Sequence, residues 1–428
     1  MIKVLHLTAH LGGGVGKALS GLAMQAASSG SDVRHTIVTF EQQEKSQFAE
    51  LVEQSGSELI VCPPTERLHV LIGESDVVQL EWWNHPATMA ALCGAPLPPM
   101  RLLVWSHVSG LFNPILPEGL LLAAHKFLFT SACSFQAKEV RGLPSEVAQR
   151  IGVVSSCAGF QGFPSPTLAD ADATVAGYLG SLNFAKLHPD YVDFLEEVKI
   201  PGFSVRLIGD LANKETLERQ CAQRGNPGLL EFRGYTSDVA SELASLNVLA
   251  YLLNPQHYGT TENALLEAMS MGVVPVVLDN PAECLIVEHE KTGLVVGSKK
   301  EFAAAMHRLA KNPGERRAMG LRAAESVRRK FSAAGMEASL NAHYRECISL
   351  EKRAFSFTDI FGAAPSDWFL SCQGSPGLFS LPGTTGEPGR YSKFGLFEQT
   401  KGTVFHFRKY FPDDERLNQW SKKLLSLQ

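Results

Sequence analysis

The chain has 428 residues, 45% of them hydrophobic and 19% charged, with a formal net charge of −5. Such a length exceeds what one hydrophobic core serves, so two domains with a small third piece are expected. The basic residues are balanced and scattered, which excludes nucleic acid as a partner and leaves an ordinary globular composition.

In chain order, apolar runs at 2–7, 33–40, 58–61, 77–81, 102–106, 126–131 and 152–155 read as strands, most of them separated by gaps long enough for a helix. This rhythm predicts a parallel, doubly wound α/β sheet. The Gly-, Pro-, Ser- and Asp-rich stretch 159–173 reads as a linker. A second series follows at 174–179, 204–208, 231–232, 246–252, 273–277 and 294–296, again with helices between. Two Rossmann-like domains result, 1–165 and 166–350, the second closed by charged helices between 300 and 350. The remainder, 351–428, is aromatic-rich and little periodic, and is expected to be an irregular appendage or small extra domain with a closing helix near 413–426, which wraps around the second domain or else covers a cleft, binds a ligand or mediates a dimer.

The eight cysteines stand far apart, with no C-x-x-C and no histidine at ligand spacing. A reduced, cytoplasmic chain without a structural metal is therefore expected. No secretory leader is expected ahead of the first strand. The most apolar stretch, 111–129, is interrupted by Asn113, Glu118, His125 and Lys126, so no transmembrane span is expected and only peripheral membrane contact stays open.

"HLGGGVGKALSGLA", beginning at His10, places four glycines and Lys17 between the first strand and a helix. A triphosphate loop of the G-x-x-x-x-G-K-[ST] type needs a hydroxyl that Ala18 lacks and a glycine where Leu11 stands. The turn instead reads as a helix N-terminus that favours an anion, with Gly13 and Gly14 allowing close backbone approach, or as a packing turn.

Four segments further on occur in order: "VAGYLGSLNFAKLHPDYVDFL" from Val175, "VRLIGD" from Val205, "EFRGYTSDVASELASLNVLAYLLNPQHYGTTENALLEAMSMGVVPVVLDN" from Glu231, and "VEHEKTGLVV" from Val287. Here the chain resembles the retaining GT-B glycosyltransferases of family 4, the group 1 type, over roughly 1–350. The resemblance implies two Rossmann-like domains facing a cleft. The N-terminal one binds a saccharide or glycolipid acceptor, and the C-terminal one a UDP- or GDP-sugar. It also implies that the glycine loop faces this cleft, and that transfer retains anomeric configuration and uses neither cofactor nor metal. Bacterial surface polysaccharide or glycolipid assembly is the setting it brings to mind.

The same resemblance assigns residues. The family's G-R-L turn with a lysine four residues later is matched by Gly180, Leu182 and Lys186, while Ser181 replaces the arginine. Lys186 is then the expected diphosphate-binding cation, with backbone N–H groups and His188 as helpers. Of the family's E-x7-E pair, Glu267 matches the ribose-binding second member, and Gly259 stands where the first belongs. Glu262 is no simple replacement, since helical positions five apart point about 140° away from each other. It is expected either to start its helix, capped by Thr260 or Thr261, or to touch the donor sugar. Gly259, Thr260 and Thr261 are phosphate candidates in their own right. Gly209 and Asp210 match a turn of the donor domain, and Gly234, Tyr235 and Thr236 the segment that receives the base.

In the N-terminal half, "VWSHVSG" places His107 where the family holds a histidine beside the reacting sugar, and "QLEWWNHP" offers His85 to the acceptor. Trp82 and Trp83 either stack on an acceptor sugar or belong to the core. Asp170 and Asp172 spell D-x-D inside the linker, read as coincidence. Because Ser181 and Gly259 depart from the pattern, a weakly active or inactive nucleotide-sugar-binding protein is the alternative. A phosphorylase or an epimerase-like protein of the same broad fold is a further one.

Overall fold

The computed structural model describes residues 1–156, 160, 162–166, 173–374, 379 and 395–427. Seven strands form the first sheet: β1 (Ile2–Thr8), β2 (Val33–Thr39), β3 (Glu58–Val61), β4 (Val77–Trp82), β5 (Leu102–Ser106), β6 (Lys126–Phe129) and β7 (Ile151–Val153). They are parallel throughout, in the order β3-β2-β1-β4-β5-β6-β7. The second sheet holds β8 (Ala176–Leu179), β9 (Val205–Ile208), β10 (Leu230–Gly234), β11 (Val248–Tyr251), β12 (Val274–Leu278) and β13 (Leu294–Val296). Its parallel order, β10-β9-β8-β11-β12-β13, repeats the first. The chain is thus α/β with two Rossmann-like sheets, every strand lying where its apolar run predicts it.

Both faces of these sheets are covered, so the central strands are buried at nearly every position rather than at alternate ones. β4, β5, β11 and β12 have no exposed residue. In each sheet the strand order reverses beside the first strand, between β1 and β4 and between β8 and β11. Loops at the carboxyl ends of such strands diverge and leave room for ligands.

The chain divides into two units, the first comprising Met1–Ala158, Tyr258–Thr261 and Ala333–Gln428, the second Gly159–His257 and Glu262–Ser332. The expected boundary at 350 is therefore corrected. The helix Ala333–Ile348 sends Met336, Leu340, Tyr344 and Cys347 into a core with Val4, Val77 and Trp105 of the first sheet. These apolar positions recur at helical spacing, but nothing local says which sheet they cover.

The extension is corrected in the same way. Its described part forms the helices Phe357–Phe361, Pro365–Leu370, Val404–Tyr410 and Glu415–Leu425. Phe361, Trp368, Phe369, Phe407 and Trp420 join Trp82, Met89 and Leu120 in the core of the first unit, not the second. Burying large aromatic rings is worth roughly 1.5–3 kcal/mol each, which is why so aromatic a segment orders as helices. Most of the linker 159–173, with Asp170 and Asp172, and most of the turn-rich stretch 374–389 lie outside the described residues.

Candidate functional site

The second unit gathers its polar residues where β8, β9 and β11 end. Gly180 (φ 146°) follows β8 and Gly209 (φ 154°) follows β9. A Cβ on Gly209 would stand 1.9 Å from the Gly180 carbonyl oxygen, so the two backbones come this close only because Gly209 carries no side chain. Asp210 holds the arrangement by accepting hydrogen bonds from the backbone N–H groups of Leu182 and Ala212. The Ser181 hydroxyl, in the place of the family's arginine, accepts a bond from the Asn183 amide at 2.6 Å.

Lys186 follows on a turn pinned to the segment after β11, where the Asn254 N–H donates to the Lys186 carbonyl at 2.7 Å. Its ammonium lies 2.8 Å from Glu262 Oε2. Glu262 also accepts from the Tyr251 hydroxyl at 2.7 Å, and His257 Nδ1 approaches its other oxygen to 3.8 Å. Burial pushes the Glu262 carboxyl up, but Lys186 and His257 outweigh it and hold it ionised below the usual carboxylate range. His257 feels the converse: burial disfavours its charged form, yet Glu283, 3.2 Å away, and Glu262 raise its pKa above the usual histidine value. Glu262, Lys186, His257 and Glu283 thus make one charged array within the second unit.

Several expectations change here. Glu262 is itself the N-cap of the helix Asn263–Ser270 and makes no side-chain cap bond. Its carboxylate is drawn to Lys186 and Tyr251 instead. Thr260 and Thr261 do not cap that helix either: both hydroxyls bond Thr130, one to its hydroxyl and one to its carbonyl. His188 is no second cation, because burial lowers its pKa and its Nδ1 accepts from the Asp190 N–H. Glu267 is buried on the helix Asn263–Ser270. Gly234 (φ 76°) ends β10, Thr236 accepts from the Asp238 N–H, and the Tyr235 ring stands 53% exposed. Tyr251, His257 and Glu283 were not singled out by sequence reasoning. His257 and Glu283 carry no motif spacing, and Tyr251 reads as an ordinary strand residue.

In the first unit the helix Gly13–Ser29 starts at the glycine loop, with Gly12 as N-cap and no side-chain cap bond. Gly13 takes φ 54° and is exposed, as is Gly14, and a Cβ on Gly13 would meet nothing within 4 Å. Gly16 differs, since its Cβ would clash with Phe48 at 2.6 Å. The loop therefore contains both kinds of glycine that the sequence left open, one open to a ligand and one required by packing.

His107 follows β5, its backbone N–H bonded to the Trp82 carbonyl and its ring 4.9 Å from that of Trp105. Its Nε2 lies 2.8 Å from Glu81 Oε2. Glu81 Oε1 in turn receives His6 Nδ1 at 2.9 Å and the Gln79 amide at 2.7 Å. His6 Nε2 meets His35 Nδ1 at 2.9 Å, and the Tyr344 hydroxyl donates to Gln79 Oε1 at 2.6 Å. Glu81 lies inside the QLEWWNHP segment, where no spacing of its own marks it. The available signal was three polar residues, His6, Gln79 and Glu81, inside otherwise apolar strands.

The acceptor candidates separate. Trp82 is wholly buried and stacked on Phe361 at 5.3 Å, so it belongs to the core and not to an acceptor site. Trp83 is only partly buried, its ring 4.5 Å from that of His85 and 5.4 Å from that of His10. His85 is buried as the N-cap of the helix Pro86–Cys93, its Nδ1 accepting from the Ala87 N–H.

Among the described residues, His10, Glu41 and His85 bring one ligand atom each within 4.8 Å of one another. The set fits a metal poorly. Because His85 Nδ1 accepts a bond, the ring proton sits on Nε2, the atom that faces Glu41 at 3.5 Å. The Lys401 ammonium already donates to His10 Nε2 at 3.0 Å. No helix among the described residues is long and apolar enough to cross a membrane.

A family model described as "Glycosyl transferases group 1" matches residues 163–326, the span that holds β8 to β13 and the Lys186–Glu262 array. Among solved structures, HepE from Anabaena, in complex with UDP and glucose, is similar at 16% identity and TM-score 0.64, covering 81% of this chain and 100% of that one. Sucrose-phosphate synthase from Thermosynechococcus elongatus is similar at 15% identity and TM-score 0.61, with 82% and 100% covered. A TarM variant from S. aureus, in complex with Fondaparinux, alpha-GlcNAc-glycerol and UDP, is similar at 10% identity and TM-score 0.63, with 82% and 100% covered. No curated relative matches the chain. The two-sheet α/β fold is the GT-B fold of these glycosyltransferase structures.

Proposed function

We propose that this chain transfers a sugar from a UDP- or GDP-sugar to a hydroxyl of a saccharide or glycolipid, with retention of anomeric configuration and without a metal at the diphosphate. One observation carries the reading: a lysine ammonium held by a buried carboxylate, Lys186 on Glu262, inside the span that matches the glycosyltransferase family. Breaking the anomeric C–O bond leaves negative charge on the diphosphate and positive charge on the sugar. A preorganised ammonium and backbone N–H groups near Gly259 and Thr260 would stabilise the first. Glu267 would accept hydrogen bonds from the ribose, and the exposed Tyr235 ring would lie against the base. The acceptor hydroxyl would attack from the face the diphosphate leaves, giving its proton to the departing phosphate. His107 would position the transferred sugar or carry a proton rather than attack it. Trp83 and His85 would serve the acceptor.

Thermal-shift screening against UDP-, GDP- and ADP-sugars tests the donor, since a ligand bound to the folded state raises its melting temperature. Transfer with the best donor, followed by NMR of the product anomer, tests retention, and comparing rates with and without added Mg²⁺ or Mn²⁺ tests metal independence. Replacement of His107 by Ala is expected to lower kcat by about 10²-fold or more. Binding without turnover would favour the inactive nucleotide-sugar-binding alternative, and no stabilisation by any nucleotide sugar would overturn the reading.

A further inference from the structure

The chain of buried polar groups behind His107 has a direction that its hydrogen bonds fix. Glu81 has no exposed surface. Burial pushes its carboxyl up, but the bonds from His107 and His6 outweigh that and hold it ionised, below the usual carboxylate range. An ionised carboxylate only accepts hydrogen bonds. Every group that meets Glu81 must therefore donate: His107 through Nε2, His6 through Nδ1, and Gln79 through its amide nitrogen. The other end of Gln79 agrees with this, its oxygen accepting from the Tyr344 hydroxyl. His6 Nε2 in turn lies 2.9 Å from His35 Nδ1. All three groups that meet Glu81 thus donate toward it.

We propose that Glu81 is a positioning residue that sets the tautomer of His107, placing the ring proton on Nε2 and leaving Nδ1 as a bare acceptor for a hydroxyl of the bound substrate. A histidine oriented in this way receives a hydrogen bond from a sugar hydroxyl and cannot donate one while neutral. Specificity follows: a substrate analogue that lacks the hydroxyl, or replaces it with a group that only accepts, loses its partner at this point. The neighbouring framework serves the same end, since the His107 backbone N–H is held by the Trp82 carbonyl and the ring leans on Trp105. The inference rests on the reading of His107 given above, and the tautomer itself is measurable without any substrate.

The decisive experiment is long-range ¹H–¹⁵N NMR of the histidine side chains in the full chain, with His107 assigned by comparison with His107→Ala. The expected result is a protonated Nε2 and an unprotonated Nδ1, and a protonated Nδ1 in the neutral ring would overturn the proposal. Glu81→Gln supplies the second arm. Neither orientation of its amide can accept from His107, His6 and Gln79 together, so the His107 tautomer is expected to change or mix. With it kcat should fall by about 10²-fold or more, while the KM for the nucleotide sugar stays unchanged. Unchanged kcat in a folded Glu81→Gln variant would overturn the proposal. If that variant does not fold, the wild-type tautomer decides alone. Full transfer by His107→Ala would instead remove the role of His107, whatever tautomer it holds.

Discussion

The Lys186 ammonium and the Glu262 carboxylate stand 2.8 Å apart, with Glu262 buried and Lys186 largely so. The two differ in what their loss should do. Lys186→Ala is expected to reduce transfer by about 10²–10³-fold, the cost of removing one preorganised group that meets developing charge. It should also weaken UDP binding in calorimetry. Glu262→Gln removes the charge that holds the lysine and should lower stability by roughly 3 kcal/mol, the usual cost of breaking a buried pair. UDP binding should survive, because the ammonium is still there. Equal loss of nucleotide binding in both variants would make the array a structural pair.

The glycine loop gives a contrast within four residues. Gly13→Leu forces a side chain into left-handed backbone at φ 54°, at about 1–2 kcal/mol, but into open space. It should impair transfer far more than it lowers the melting temperature. Gly16→Val drives its Cβ against Phe48 and the Leu11 backbone, with overpacking of about 1–3 kcal/mol. There stability should fall first, and transfer only in proportion to the folded fraction. Proportional loss in both variants would leave the loop a packing turn.

Adjacent tryptophans should behave as residues of different kinds. Trp82→Ala empties a fully buried site against Phe361 and is expected to cost about 3–5 kcal/mol in denaturant unfolding. Trp83→Ala touches a ring only partly buried, so its stability loss should be smaller and its effect should appear in the acceptor KM. An unchanged acceptor KM would remove Trp83 from the acceptor site.

Histidine 257 makes stability depend on pH in a stated direction. Glu283, Glu262 and Lys186 are the charged groups that act on it, and its folded pKa lies above the unfolded value of 6.5. The native state then binds the proton more tightly than the unfolded chain, so stability falls as pH rises through this region. The contribution is complete below 6.5 and lost as pH passes the raised folded value. Melting temperatures of the wild type and His257→Asn, taken from about pH 6 to about pH 8, should therefore converge as pH rises. A gap that stays constant or widens would show that His257 is held neutral.

What the sequence determined by itself is local. Apolar runs of strand length placed all thirteen strands, because a buried parallel strand is written in consecutive residues. Glycine turns and the spacing around Lys186 and Glu267 marked the carboxyl ends of the second sheet's strands for the same reason. What only the tertiary structure decided is partnership. Glu81 meets His6 and His107 from residues 75 and 26 positions away, and Lys186 meets Glu262 from the far side of three strands. The tail's aromatics, and the stripe Met336, Leu340, Tyr344 and Cys347, declared that they would be buried but not against which sheet. Periodicity encodes the face of an element, whereas the surface that covers that face is chosen by packing among distant segments. That choice put Trp82 in the core, joined the extension to the first unit, and made Glu262, at the start of its helix, the counter-charge of Lys186.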